Sequence, residues 1–135
     1  MKITKVVAAI IIYEKSFLVF QRKYSNNIDY SLKYEFAGGK IKKNESNLEA
    51  LKREIKEELN ISVKNYKPYL EYNYNYKNNK ISLSFYLCQV NNLSFNLNVH
   101  ESYKLLRKHE LKNVDWLEAD YKVVEYLVKD EKLFI

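Results

Sequence analysis

Residues 39–61 read GKIKKNESNLEALKREIKEELNI, and this stretch decides the fold. Ser46 is placed as an N-cap, and Glu49 three residues later completes a capping box. Leu48, Leu51, Ile55 and Leu59 follow at steps of three, four and four, a stripe that faces a core. Asn60 then ends the helix, because Asn is the best substitute for Gly in a left-handed C-terminal position. The helix gathers Glu49, Glu54, Glu57 and Glu58 with one arginine, Arg53. Glu54, Glu57 and Glu58 sit at i, i+3 and i+4, which places all three on one side. Like charges at these spacings repel by about 0.2–0.5 kcal/mol per pair. A set of oxygens held together against that repulsion suits a hard divalent cation such as Mg²⁺. A solvated face with i,i+4 salt bridges accounts for Arg53 and Glu57. It does not account for three acids on one side beside Gly38-Gly39.

Working outward from the helix, residues 3–13 and 17–22 are apolar, β-branched runs separated by Tyr13-Glu14-Lys15-Ser16, a strand–turn–strand unit. Residues 24–33 are polar and read as a loop, and 34–36 as a short strand ending at Gly38-Gly39. Strands are expected around 62–76 and 80–90, joined by a hairpin turn at Lys77-Asn78-Asn79-Lys80. A short helical turn at 109–112 precedes a terminal helix over 119–129, with Val123, Val124, Tyr126, Leu127 and Val128 available for packing and Asp120 suited to its N-cap. A β-rich chain with two helices in separate places is α+β with a mixed sheet.

The 135 residues allow a single domain, 1–135. With 2 Gly and 1 Pro, no linker composition divides the chain. The Tyr- and Asn-rich stretch at 69–79 reads as compositional bias. A net charge of +6 points to an anionic ligand. The lysines are scattered and no nucleic-acid-binding signature is present, so a nucleotide polyphosphate is favoured over a stable nucleic-acid partner. Cys88 lies alone in an apolar segment, a buried strand residue in a reducing compartment. Lys2 and Lys5 precede VVAAIIIY, but this run is far short of the ~20 residues that span a bilayer and lacks a cleavage site. It reads as a buried strand of a cytoplasmic protein with no membrane partner.

Laid against known patterns, the stretch resembles the Nudix box, GX5EX7REUXEEXGU, with U a bulky aliphatic. Gly39, Glu45, Arg53, Glu54, Ile55, Glu57, Glu58 and Ile61 fill eight of its nine defined places, and Asn60 replaces the second Gly. Tyr34-Glu35-Phe36-Ala37-Gly38-Gly39-Lys40 is similar to the WEFPGGK entry of MutT-type Nudix hydrolases. Gln21-Arg22-Lys23, the ISLSFYLC strand and Trp116-Leu117-Glu118-Ala119-Asp120 extend the likeness over most of the chain.

The resemblance implies a Nudix fold, a mixed β-sheet sandwiched between α-helices with a loop–helix–loop catalytic motif. It implies an Mg²⁺-dependent hydrolase, with Mn²⁺ as a substitute, that cleaves a (deoxy)nucleoside triphosphate to the monophosphate and pyrophosphate, as a monomer or homodimer. Glu54, Glu57, Glu58 and the Gly38 carbonyl would hold the metal, with Glu101 as a further ligand. Arg53 would orient the carboxylates and Glu45 would support Arg53. Glu54, or second Glu57, would take the proton of the attacking water. Arg22, Gly39, Lys40, Phe36 and Asp120 would contact substrate, Asp120 at the nucleobase edge. The implied substrates are 8-oxo-dGTP or pyrimidine nucleotides such as CTP. A non-catalytic binding domain on this fold would lack one of the metal glutamates; this chain keeps them all.

Overall fold

A computed structural model describes residues 2–134. Strands β1 (Lys2–Tyr13) and β2 (Ser16–Gln21) form the expected hairpin, with Glu14 in the left-handed region at its turn. After the 22–33 loop come two short strands, β3 (Tyr34–Glu35) and β4 (Ala37–Lys40), and then helix α1 (Asn47–Glu58). The long strands β5 (Asn65–Tyr76) and β6 (Asn79–Val90) make the second hairpin, and β7 (Ser102–Arg107) leads through 3₁₀ turns at Lys108–Asn113 and Glu118–Asp120 to α2 (Tyr121–Lys129). The hairpin turn is tighter than expected, since only Lys77 and Asn78 lie outside the two strands.

The sheet runs β3-β2-β1-β6-β5, with β6 parallel to β1 over its whole length and the other pairs antiparallel. It is therefore mixed, as expected. One side of β1 changes partner along its length. Ile11–Tyr13 pair with β2, whereas Val6–Ala9 pair with β4. Gly38 and Gly39 are thus strand residues, not the start of the loop. The missed strand β7 pairs with β2, and only Leu106 of its six residues is buried. An edge strand packed on so little of its length carries no clear alternation for a sequence reading to detect.

Alternation along β1 sends side chains to both faces. Val7, Ala9 and Ile11 pack with Phe20, Ala50, Leu51, Ile55 and Leu59, so α1 covers one face. Ala8, Ile10 and Ile12 pack with Phe17, Phe36, Phe85, Trp116, Val123 and Leu127, so α2 covers the other. The helix–sheet–helix sandwich follows. Ser46 makes both bonds of its capping box and Asn60 adopts φ 50° after the helix, both as expected. Two expected packing residues fail: Leu48 is exposed while Ala50 takes the inward place, and Tyr126 lies on the solvent side of α2. No helix among the described residues is long and apolar enough to cross a membrane.

Candidate active site

Arg53 organises the acids of α1. Its Nε and Nη2 donate to Glu45 at 2.6 and 2.9 Å, its Nη1 to Glu54 at 2.8 Å and to Glu57 at 3.5 Å, and Nη2 also to the Lys40 carbonyl at 3.0 Å. Glu45 further accepts the Lys42 N–H at 2.8 Å. Hydrogen bonds from Arg53 and this backbone N–H hold the Glu45 carboxyl down at about 2, and the same acids raise Arg53. The fork of one guanidinium thus ties the loop, the end of β4 and the helix together.

Glu58 is turned inward. Its carboxylate accepts the Gly38 N–H at 3.2 Å, and burial, then the charges of Glu54 and Glu35, push its carboxyl up to about 8. The Glu54 carboxylate lies against the α-carbon of Gly39, where an added Cβ would meet it at 2.6 Å. Only a residue without a side chain lets the acid approach β4 so closely. Glu57 is exposed on the same side of the helix. The residues fit a divalent cation by their chemistry: the donors are all oxygens, and Glu58 is turned inward toward Gly38 while Glu54 lies against Gly39 on the same strand. Among the described residues no three His, Cys, Asp or Glu side chains are already gathered as a metal cage, and Arg53 engages Glu54 and Glu57.

Beside these acids lies a cavity of about 590 Å³. Its lining runs from Asp120, Phe36 and Trp116 past Glu35 and Arg22 to Glu58, Gly38, Gly39 and Lys40. The expected residues Arg22, Phe36, Gly39, Lys40 and Asp120 therefore share one wall system with Glu58. Glu101 does not line it. It is exposed at the start of β7, and its backbone N–H donates to the Gln21 carbonyl at 2.8 Å. The neighbouring side chain that points inward is His100, 4% exposed, which bonds Glu35 through Nε2 at 2.8 Å and stacks on Phe20.

Glu35 is the site residue that carried no expectation. It bonds Arg22 at 3.1 Å as well as His100, and its charge reaches both Glu58 and Asp120. Its place between Tyr34 and Phe36 was visible, but its inward partners come from residues 22 and 100, distant in sequence. Tyr30, Tyr74 and Tyr76 also line the cavity. Tyr76 donates to Asp29 at 2.8 Å and stacks near Tyr30, which lies under the Arg22 guanidinium. The tyrosine-rich strand thus does wall the pocket.

Asp120 makes no capping bond with α2, which corrects one expectation. Its carboxyl is buried, and burial first, then the charge of Glu35, raise it well above its ordinary 3.8, against smaller opposing effects of the Phe36 N–H and Arg22. A raised carboxyl keeps its proton in the folded state while the unfolded chain loses it, so its contribution to stability falls as pH rises above about 4. Asp120→Asn is expected to be more stable than the parent at pH 7, with the difference shrinking toward pH 4. Chemical denaturation across that range measures it, and parallel stability curves would contradict it.

A NUDIX domain model matches residues 3–127. Over 76 residues the chain is 43% identical to an 8-oxo-dGTP diphosphatase of Buchnera aphidicola subsp. Acyrthosiphon pisum, covering 55% of this chain and 56% of that protein. Over 63 residues it is 46% identical to a CTP pyrophosphohydrolase of Escherichia coli K12, covering 47% and 45%. The chain thus spans about half the length of these two relatives. The solution structure of a MutT protein from methicillin-resistant Staphylococcus aureus 252 superposes with a TM-score of 0.69 at 30% identity, covering 95% of this chain and 98% of that one.

Proposed function

This chain belongs to the Nudix family, its NUDIX domain spanning residues 3–127, and on that premise we propose that it is a divalent-cation-dependent nucleoside triphosphate pyrophosphohydrolase of the MutT kind. The observation that carries the reading is the Glu54 carboxylate laid on Gly39 next to inward-turned Glu58, both beside a cavity that Asp120 and two aromatic rings wall. Acids, phosphate-sized backbone and a ring-sized pocket adjoin one another.

Glu54, Glu57, Glu58 and the Gly38 carbonyl are the groups that would hold Mg²⁺ or Mn²⁺. When bound, such an ion neutralises charge on phosphate oxygens and acidifies water. The chain's own residues do the rest. Arg53 and Glu45 fix the orientation of Glu54, so its reorganisation during reaction is small. Glu54 takes a proton from the attacking water, and Glu57 is the second candidate for that role. Gly39, Lys40 and Arg22 face the phosphates, where cations and unhindered backbone suit anionic oxygens. Phe36 offers a ring for the base. Asp120, whose burial favours the protonated carboxyl, can in that form donate to a carbonyl of the base, and as a carboxylate accept from an amino group.

Both relatives compared are named for nucleoside triphosphates, one an oxidised purine and one a pyrimidine, which supports triphosphates as the substrate class. The test is release of pyrophosphate and monophosphate from a panel containing dGTP, 8-oxo-dGTP, CTP and dCTP with Mg²⁺. Equimolar release of both products, abolished by chelation, is expected for at least one member. Release of single phosphate groups, or no turnover of any member, would refute the reading.

A further inference from the structure

A second groove adjoins the cavity, and nothing described so far uses it. It is formed by the start of β1 and the loop from β4 to α1, and Lys2, Lys5, Lys40, Lys42 and Lys43 line it. All five lysines are exposed, and among the described residues none has an acidic partner within 4.0 Å. The acid in its lining, Glu45, is already bonded to Arg53. The walls are pinned by backbone pairing: Ile41 N–H donates to the Lys5 carbonyl at 2.9 Å, and Lys2–Lys5 lie in parallel register with β6. This is a concave, fixed and uncompensated concentration of positive charge, unlike a scattered basic surface. Such a concavity raises the local concentration of anions.

Its position specifies the anion. Lys40 borders both the groove and the cavity. Asp120 and Phe36 mark the base end, and Phe36 to Lys40 is four residues of extended chain, about 13 Å. A nucleotide with its base at Asp120 and its first phosphates along Gly38-Gly39 therefore reaches Lys40 with the end of its phosphate chain. The groove begins there.

We propose that the lysine groove is a distal phosphate subsite, so that this protein prefers nucleotides whose chain extends past the third phosphate, such as nucleoside 5′-tetraphosphates. The proposal rests on the hydrolase reading given above. The reaction is unchanged in kind: water adds across the bond between the first and second phosphates, OH to one phosphorus and H to the bridging oxygen. Monophosphate and inorganic triphosphate are the products in place of monophosphate and pyrophosphate.

The test compares kcat/KM for a tetraphosphate and a triphosphate of the same nucleoside, in the parent and in the double variant Lys5→Gln/Lys43→Gln. Neither side chain belongs to the catalytic set. The parent is expected to favour the tetraphosphate, and the variant to lose about tenfold of that preference, since a single exposed charge contact contributes about threefold. Its triphosphate turnover is expected to stay unchanged. Binding of inorganic tripolyphosphate, measured by calorimetry without turnover, should weaken by the same factor and more steeply in low salt. An unaltered preference and unaltered tripolyphosphate binding would overturn the subsite and leave the hydrolase reading intact. If the parent cleaves neither nucleotide, the hydrolase reading fails and tripolyphosphate binding alone decides the subsite. Loss of single-stranded oligonucleotide binding in the variant, with the tetraphosphate preference unchanged, would assign the groove to nucleic acid and overturn the proposal.

Discussion

Glu57→Gln is expected to lower kcat for pyrophosphate release by about 10²-fold or more while leaving the thermal midpoint unchanged, the scale seen when one transition-state electrostatic contact is lost. Glu57 suits this test because its side chain is 55% exposed and its contact with Arg53 is long at 3.5 Å. Exposed substitutions of this kind alter stability by about 0.5 kcal/mol or less. A change that leaves the fold intact and removes turnover identifies chemistry and not structure. The amide keeps the shape of the carboxylate but loses its charge, so the Mg²⁺ concentration giving half-maximal activity should rise as well. Equal activity of parent and variant at all Mg²⁺ concentrations would remove Glu57 from the site.

Gly38→Ala is expected to destabilise the protein by about 3 kcal/mol, in the upper range for overpacking a tight site. A Cβ there would lie 2.1 Å from the Val7 carbonyl oxygen and 2.7 Å from the Ala8 α-carbon, backbone atoms that cannot turn aside. The β1–β4 pairing must open, and with it the Gly38 N–H···Glu58 bond. For a chain of this size the midpoint should fall by about 10 °C. Gly39→Ala provides the contrast, because the atoms nearest its Cβ would be those of the Glu54 carboxylate. That side chain can swing away, so Gly39→Ala should melt near the parent and lose activity. Calorimetry of both variants with parallel assays separates the two effects. Equal stability of the parent and Gly38→Ala would show that β4 does not lie as tightly on β1 as the structure places it.

The helix and its acids were legible in the sequence because the information is local. Capping, stripe and charge spacing all fall within residues 46–60, and Arg53 meets Glu45 and Glu57 across short separations. The two hairpins were legible for the same reason. The remainder depends on contacts between distant segments. Glu35 reads as an ordinary strand residue until Arg22 and His100 are folded onto it. Asp120 resembles a cap in the sequence, yet in the folded chain it is buried and makes no capping bond. Leu48 shows the converse failure: its spacing fitted a stripe, but Ala50 is the residue that is buried there and Leu48 stays exposed. Gly38 and Gly39 read as the end of a short strand before a loop, yet they lie within β4, where their lack of a side chain permits close packing.

The alternation along β1 also divides the molecule's tasks between two layers. The cavity-lining residues Phe36 and Trp116 pack on the α2 side of the sheet, and the acidic helix packs on the other. If the cavity takes a heterocycle as proposed, its fit can be altered in one layer without disturbing the acids on the other. Under the proposed function, base preference and bond cleavage are therefore separable by substitution in one layer or the other.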